Sequence, residues 1–253
     1  MNRTVLVTGA SGGIGGAVAK AFAAAGDRVA VHYSGNRAGA EAVRSDLPGD
    51  GHLLVQGDIA DPDTAAAIVS TVVEGAGGLD VLVNNAAVGT STDSAHPVPK
   101  VSYVDWQRAW RNAIDVNLLG AANISYCAAR HMIDRGRGGR IVNVGSRGAY
   151  RGEPANPAYG ASKAGLHALG QSLAISLAPH RISVTSVAPG FVSTERQQEA
   201  LTGDYGAAIR AQSPFDRVAT PQEVAAAVLY LASDEAAWAS GAVLDLNGAS
   251  YLR

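Results

Sequence analysis

Four side chains near the middle of the chain have types and spacings suited to proton chemistry. Tyr159 and Lys163 stand in the run Tyr159-Gly160-Ala161-Ser162-Lys163, and residues i and i+4 of a helix share one face. A free phenol titrates near 10, so making it a base at neutral pH requires roughly 4 kcal/mol favouring the phenolate. An ammonium one helical turn away, together with a second cation at the site, could supply much of that. Ser146 follows the apolar run Ile141–Gly145 and precedes Tyr159 by 13 residues; its hydroxyl can donate to a carbonyl or alkoxide oxygen. Asn117, in Asp115-Val116-Asn117, falls within a helical stretch, where Asn is mildly unfavourable. Each has a plainer reading alone. The Tyr–Lys pair could be solvated, Ser146 could bond its own turn, and Asn117 could tie one helix to another.

A second cluster lies at the start of the chain. Thr8-Gly9-Ala10-Ser11-Gly12-Gly13-Ile14-Gly15 follows a short apolar run. Glycine at 9 permits a tight turn, while glycines at 13 and 15 allow a pyrophosphate to approach and a helix to pack closely on a sheet. A helix beginning there would offer free N–H groups and a partial positive charge to phosphates. The spacing differs from G-x-G-x-x-G, and a glycine-rich turn with no ligand is the bland alternative.

The elements that must position these residues alternate along the chain. Strands are predicted at Thr4–Thr8, Arg28–Tyr33, Leu53–Gln56, Val81–Asn84, Arg140–Gly145, Ile182–Val187 and Ala242–Leu246. Helices are predicted at Gly13–Ala25, Arg37–Asp46, Pro62–Glu74, Trp106–Asp134, Pro157–Ala178 and Pro221–Ala232. Asp61-Pro62 supplies an N-cap and first-turn proline, and Thr220-Pro221-Gln222-Glu223 reads as a capping box. Several strands are apolar throughout, as burial on both faces requires. The pattern predicts an α/β fold, a Rossmann-like doubly wound parallel sheet of about seven strands with helices on both faces. With no linker or repeat in 253 residues, residues 1–253 are expected to form a single domain. Ser91–Ser102 is the longest irregular stretch and reads as a loop over a site.

Composition narrows the function classes. Lys+Arg number 20 against 22 Asp+Glu, with no basic face legible, so nucleic acid is not expected as a partner. The one cysteine, Cys127, excludes an intramolecular disulfide framework or a Cys-rich metal site and suggests a reducing compartment. His96 has no companion at metal-ligand spacing, so no metal is expected. The N-terminus shows no targeting segment and no run approaches a membrane span, so a soluble cytoplasmic protein is the expectation.

Thr8-Gly-x-x-x-Gly-x-Gly15, Asn117, Ser146 and Tyr159-x-x-x-Lys163, in that order, resemble the short-chain dehydrogenase/reductase family over nearly the whole chain. The resemblance implies an oxidoreductase interconverting a carbonyl and an alcohol with a nicotinamide cofactor. It implies Tyr159 as general acid/base and Ser146 as stabiliser of the substrate oxygen. Lys163 would lower the Tyr159 pKa and bind the nicotinamide ribose, and Asn117 would hold a relay water. It places Gly9, Gly13 and Gly15 at the phosphates, Ser11 and Ile14 with them in the cofactor-binding loop, and Asp58 and Ile59 at the adenine. Asn85 and Ala86, after the fourth strand, and Pro189, Val192 and Thr194, after the sixth, would complete the cofactor site. Two departures stand out: Ala87 and Ala249 occupy positions where the family commonly has glycine.

NAD enzymes tend to carry an acid after the second strand for the ribose hydroxyl. Val31-His32-Tyr33-Ser34-Gly35-Asn36-Arg37 has none. Arg37, with Ser34 and Asn36 as further donors, suits a 2′-phosphate, so NADP(H) is expected over NAD(H); Gly12, where many NADP-preferring members carry a base, points the other way. Substrate determinants are expected in segments 88–107, 147–156 and 193–214. Arg147, Arg151 and Glu153 would suit a charged substrate or mere solubility. A 3-oxoacyl thioester is one candidate among polyol, sugar, steroid-like and quinone-type substrates. The outer faces of the long helices Trp106–Asp134 and Pro157–Ala178 could pair with a second subunit, and the resemblance implies a homotetramer or homodimer built on them. The rival classes are a non-catalytic NADP-binding regulator or scaffold, against which the intact Ser146, Tyr159 and Lys163 argue, and a lyase or epimerase on the same fold.

Overall fold

The structure is a computed structural model and describes residues 3–91 and 94–253. Seven strands, β1 (Thr4–Val7), β2 (Arg28–Tyr33), β3 (Leu53–Gln56), β4 (Val81–Asn84), β5 (Gly139–Val144), β6 (Ile182–Pro189) and β7 (Val243–Leu246), form one sheet in the order β3-β2-β1-β4-β5-β6-β7. Every pairing is parallel. The chain winds outward in one direction from β1 to β3 and in the other from β4 to β7, so β1 and β4 flank the switch point where such sheets bind ligands.

The helices are α1 (Gly13–Ala24), α2 (Arg37–Ser45), α3 (Pro62–Ala76), α4 (Tyr103–Ile114), α5 (Ala121–Arg135), α6 (Gly148–Arg151), α7 (Pro157–Leu177), α8 (Gln198–Thr202), α9 (Gly206–Arg210) and α10 (Pro221–Leu231). The alternating side chains of the central strands divide between two cores. Val5, Val7, Val29, Val31, Val81 and Val83 pack with the Phe22 and Val228 side, whereas Leu6, Leu82 and Ile141 pack with the Ile68, Ile124 and Met132 side. Both faces are therefore dry, which explains the apolar runs.

Two helix starts fold as their chemistry predicts. Asp61 accepts from the Thr64 N–H at 2.7 Å, and Thr220 and Glu223 form a reciprocal capping box. The predicted Trp106–Asp134 helix is corrected in two respects. It begins at Tyr103, where Ser102 Oγ accepts from the Asp105 N–H at 3.1 Å, so α4 takes the end of segment 88–107. It is also not uniformly α-helical, because Asp115–Gly120 forms a π-helical segment between α4 and α5. Thr92 and Asp93 of segment 88–107 lie outside the described residues. Segments 147–156 and 193–214 contain the short helices α6, α8 and α9 rather than irregular loop alone. No helix among the described residues is long and apolar enough to cross a membrane.

Candidate active site

A cavity of about 680 Å³ opens at the C-terminal ends of β1, β2, β4, β5 and β6. At one end lies the glycine loop. Gly9 takes φ +63° and a Cβ there would stand 2.7 Å from Ala86 Cα, so only glycine fits the turn. A Cβ at Gly15 would meet Gly9 O at 2.4 Å, which keeps α1 tight against β1. Helix α1 begins with no side-chain cap and no acid in its first turn, leaving its N–H groups for an anion. This cradle fits the pyrophosphate of a dinucleotide.

Ser11, Gly13, Ile14, Ser34, Asn36, Asp58, Ile59, Ala86, Pro189, Val192 and Thr194 all line the same cavity. Thr194 reaches back to the glycine loop, its Cγ2 standing 3.4 Å from where a Gly13 Cβ would be. Ile59 lines the cavity but is 3% exposed and joins the core. Asn85 also lines it, yet its amide donates to Thr8 O at 2.9 Å and Gly9 O at 3.0 Å. Asn85 therefore shapes the glycine loop from β4. Arg37 is the exception among the expected cofactor residues: it does not line the cavity, and its Nε donates to Glu41 Oε1 at 2.8 Å on the outer face of α2.

At the other end Ser146, Tyr159 and Lys163 converge. Helix α7 carries Tyr159 and Lys163 on one face, with Lys163 Nζ 5.9 Å from the Tyr159 ring centroid. Lys163 is 3% exposed and donates to Val144 O at 2.8 Å. Burial lowers its pKa to about 8, so the amine still carries its proton at neutral pH. Ser146 follows β5, and its Oγ accepts from the Gly148 N–H at 3.0 Å, leaving the hydroxyl proton for another acceptor. Asn117 lies in the π-helical segment and is fully buried. Its Nδ2 donates to Val88 O at 3.2 Å and Ser162 Oγ at 3.0 Å, and its Oδ1 accepts from the Val88 N–H at 2.8 Å. Both amide protons are thus spent on joining the loop after β4 to α7. Any water Asn117 holds in a relay is bound by another of its atoms.

Two contributors, His32 and the helix-positioning role of His96, are not legible in the sequence, and a third, Arg147, is legible only as an open choice. His32, on β2, accepts from the Gly9 N–H at 3.1 Å and faces Gly57 O from Nε2 at 3.1 Å. The first bond needs a bare Nδ1 and the second an Nε2–H, so this His is neutral; burial pushes its pKa down to about 4. It pins the glycine loop to the end of β3, and its only sequence signal was a polar residue inside an apolar run. His96 fixes the start of α7 beside Tyr159, its Nε2 accepting from the Ala158 N–H at 3.2 Å. Arg147, for which the sequence leaves a charged-substrate contact and mere solubility both open, is 5% exposed and lines the cavity with Glu153. Among the described residues no group of three or more His, Cys, Asp or Glu has metal-binding geometry.

A switch-point cavity with a glycine phosphate cradle at one end and a Ser–Tyr–Lys cluster at the other defines a class: nicotinamide-dependent oxidoreductases on a doubly wound sheet. A family model described as Enoyl-(Acyl carrier protein) reductase matches residues 9–248. A 3-oxoacyl-[acyl-carrier-protein] reductase of Staphylococcus aureus is 36% identical over 254 residues, covering 100% of this chain and 99% of the relative. An L-rhamnose 1-dehydrogenase (NAD(P)(+)) of Sphingomonas sp. is also 36% identical, covering 99% of this chain and 96% of the relative. The crystal structure of a 3-ketoacyl-(acyl-carrier-protein) reductase from Brucella melitensis, complexed with NADH, superposes with a TM-score of 0.87 at 30% identity, covering 99% of this chain and 98% of that one. The chain belongs to the short-chain dehydrogenase/reductase family and is an oxidoreductase acting on CH–OH groups.

Proposed function

We propose that the protein is an NADP(H)-dependent dehydrogenase/reductase in which Tyr159 is the general acid/base. The observation that carries the reading is the Lys163 ammonium, buried one turn from the Tyr159 ring in a cavity that also holds Ser146 and the glycine cradle. Bound, the nicotinamide would give or take a hydride at C4. Ser146 donates its free hydroxyl proton to the substrate oxygen and fixes it beside the phenol. Tyr159 then gives that oxygen a proton in reduction, or removes it in oxidation. Lys163, still an ammonium at neutral pH, favours the phenolate and reaches toward the cofactor ribose. Asn117 holds the loop after β4 against α7 and so keeps Tyr159 in place. Residues 1–253 act in this reading as one domain, in a homotetramer or homodimer in the cytoplasm.

NADP(H) preference follows from the end of β2. No acid stands at Ser34–Arg37 to receive a ribose hydroxyl, and an unopposed acid there would repel a 2′-phosphate. Asn36 Oδ1 is used in capping α2, accepting from the Gly39 N–H at 3.0 Å, so its Nδ2 remains as a donor. The Arg37–Glu41 pair is an exposed i,i+4 contact of the weakest kind, readily exchanged for a phosphate dianion. Relatives of equal identity reduce acyl thioesters or oxidise a sugar by their names, so likeness does not choose between a 3-oxoacyl thioester and other carbonyls.

The test is a panel of carbonyls and alcohols with each cofactor. The expected result is turnover with kcat/KM at least about tenfold higher with NADPH than NADH, and a ratio that falls roughly tenfold in Arg37→Ala, as loss of one charge-assisted contact implies. Tight NADPH binding with no turnover of any substrate supports the non-catalytic or lyase alternatives instead.

A further inference from the structure

The substrate end of the cavity carries two charges that the proton chemistry does not use. Arg147 directly follows Ser146 and is buried. Its guanidinium lies 5.4 Å from the Phe191 ring centroid, donates to Gln212 Oε1 at 2.5 Å and donates to Ser250 Oγ. Two of its nitrogens are thereby oriented, and further N–H groups remain. It makes no ion pair among the described residues. Arg151 reaches the same Gln212 oxygen at 3.0 Å, but from the exposed side. Glu153 lines the cavity half-buried, packed along Gly148 and Gly160, and also makes no ion pair among the described residues. Burial raises the Glu153 pKa, against the pull of Arg151 and Arg147, and burial lowers that of Arg147. Both groups are thus partly desolvated without a direct counter-charge, a costly arrangement unless something else meets them.

We propose that Arg147 and Glu153 form a donor–acceptor pair that reads neighbouring hydroxyl groups, so that the substrate class is a small polyhydroxylated carbonyl or its alcohol: an aldose, ketose or polyol. The proposal rests on the oxidoreductase reading above. A hydroxyl both donates and accepts, so adjacent hydroxyls satisfy a guanidinium with oxygen and a carboxylate with hydrogen at once. A carboxylated substrate would meet Arg147 but face Glu153. An aliphatic acyl chain would strip water from both charges and return no hydrogen bond. Orientation of Arg147 by Gln212 and Ser250 makes it a preset donor, since its geometry is fixed before the substrate arrives.

The experiment measures kcat and KM of the wild type with sugars and polyols, with 3-oxoacyl thioesters, and with plain alkyl ketones, and then of Glu153→Gln and Arg147→Met. A preference of at least about tenfold for a hydroxylated substrate is expected, a margin that one lost hydrogen bond to a charged group would account for. In each variant KM for that substrate rises about tenfold, its advantage over a plain ketone shrinks by the same factor, and the NADPH Kd stays within about twofold. Arg147→Lys regains part of the loss. Preference for an acyl thioester or a plain ketone in the wild type overturns the proposal, without touching the oxidoreductase reading. So does a parallel loss on every substrate in both variants, which would make Arg147 a clamp and nothing more. Absence of turnover on all three groups, with NADPH bound, overturns this proposal as well, while turnover of some other carbonyl or alcohol by the same Tyr159-dependent route leaves the reading it rests on intact.

Discussion

A buried ammonium is an expensive thing to fold around, and Lys163 shows the cost and its use together. Its pKa of about 8 in the folded chain lies below that of an unfolded lysine near 10.4. The unfolded chain therefore binds more protons between those values, and stability rises with pH across that window. Below about pH 8 the penalty is present in full. Lys163→Met should accordingly be more stable than the wild-type apoprotein at pH 7, by on the order of 1–2 kcal/mol after loss of the bond to Val144 O is counted against it. The advantage should close as pH approaches 10, and turnover should be lost. Urea unfolding of both proteins across pH checks this; equal stability at pH 7 and pH 10 would contradict it. At this scale the Ser146, Tyr159 and Lys163 cluster was legible, because helical spacing and a strand end put their side chains together. His32 was not, and Arg147 only as an open choice between substrate contact and solubility, since burial at a strand or loop position depends on partners distant in the chain. Ala249 was legible only as a departure from the family; the structure gives it φ +57°, the left-handed conformation a glycine would take more easily.

Among the elements, β5 and α7 matter most, because they bring Ser146 to Tyr159. Their fit depends on Gly145: a Cβ there would stand 1.8 Å from His167 Nε2. His167 lies one turn beyond Lys163 and stacks on Tyr150, with ring centroids 5.2 Å apart, so it has little room to retreat. Gly145→Ala should cost about 3 kcal/mol by overpacking. In a His167→Ala background the same change should cost under about 1 kcal/mol, since the contact is gone. Thermal unfolding of the four proteins gives the coupling, and a cost independent of His167 would refute this packing. Strand positions and sheet class were readable from apolar runs and alternation, with ends shifted by a residue or two. The π-helical segment was not readable. It holds Asn117 between the loop after β4 and Ser162 of α7, and nothing in the periodicity of Trp106–Asp134 marks the added residue per turn. Helix α4 starts at Tyr103 rather than at the expected Trp106 because the Ser102 hydroxyl caps its first turn.

Over the whole molecule, the glycine cradle, the free start of α1 and the Ser–Tyr–Lys cluster gather in one cavity at the switch point. Large apolar side chains are exposed along α4 and α5 (Tyr103, Val104 and Tyr126) and on α7 (Ile175), surfaces of the kind that subunits cover in the proposed homotetramer or homodimer. What the whole account requires is that one phenol in this cavity move a proton while the cofactor binds independently of it. The direct measurement is NADPH consumption with a hydroxylated carbonyl substrate by wild type and Tyr159→Phe, alongside the NADPH Kd of each. The account predicts a loss of at least about a hundredfold in kcat with Kd unchanged, the scale of a missing general acid. A Tyr159→Phe variant that turns over at the wild-type rate would contradict it.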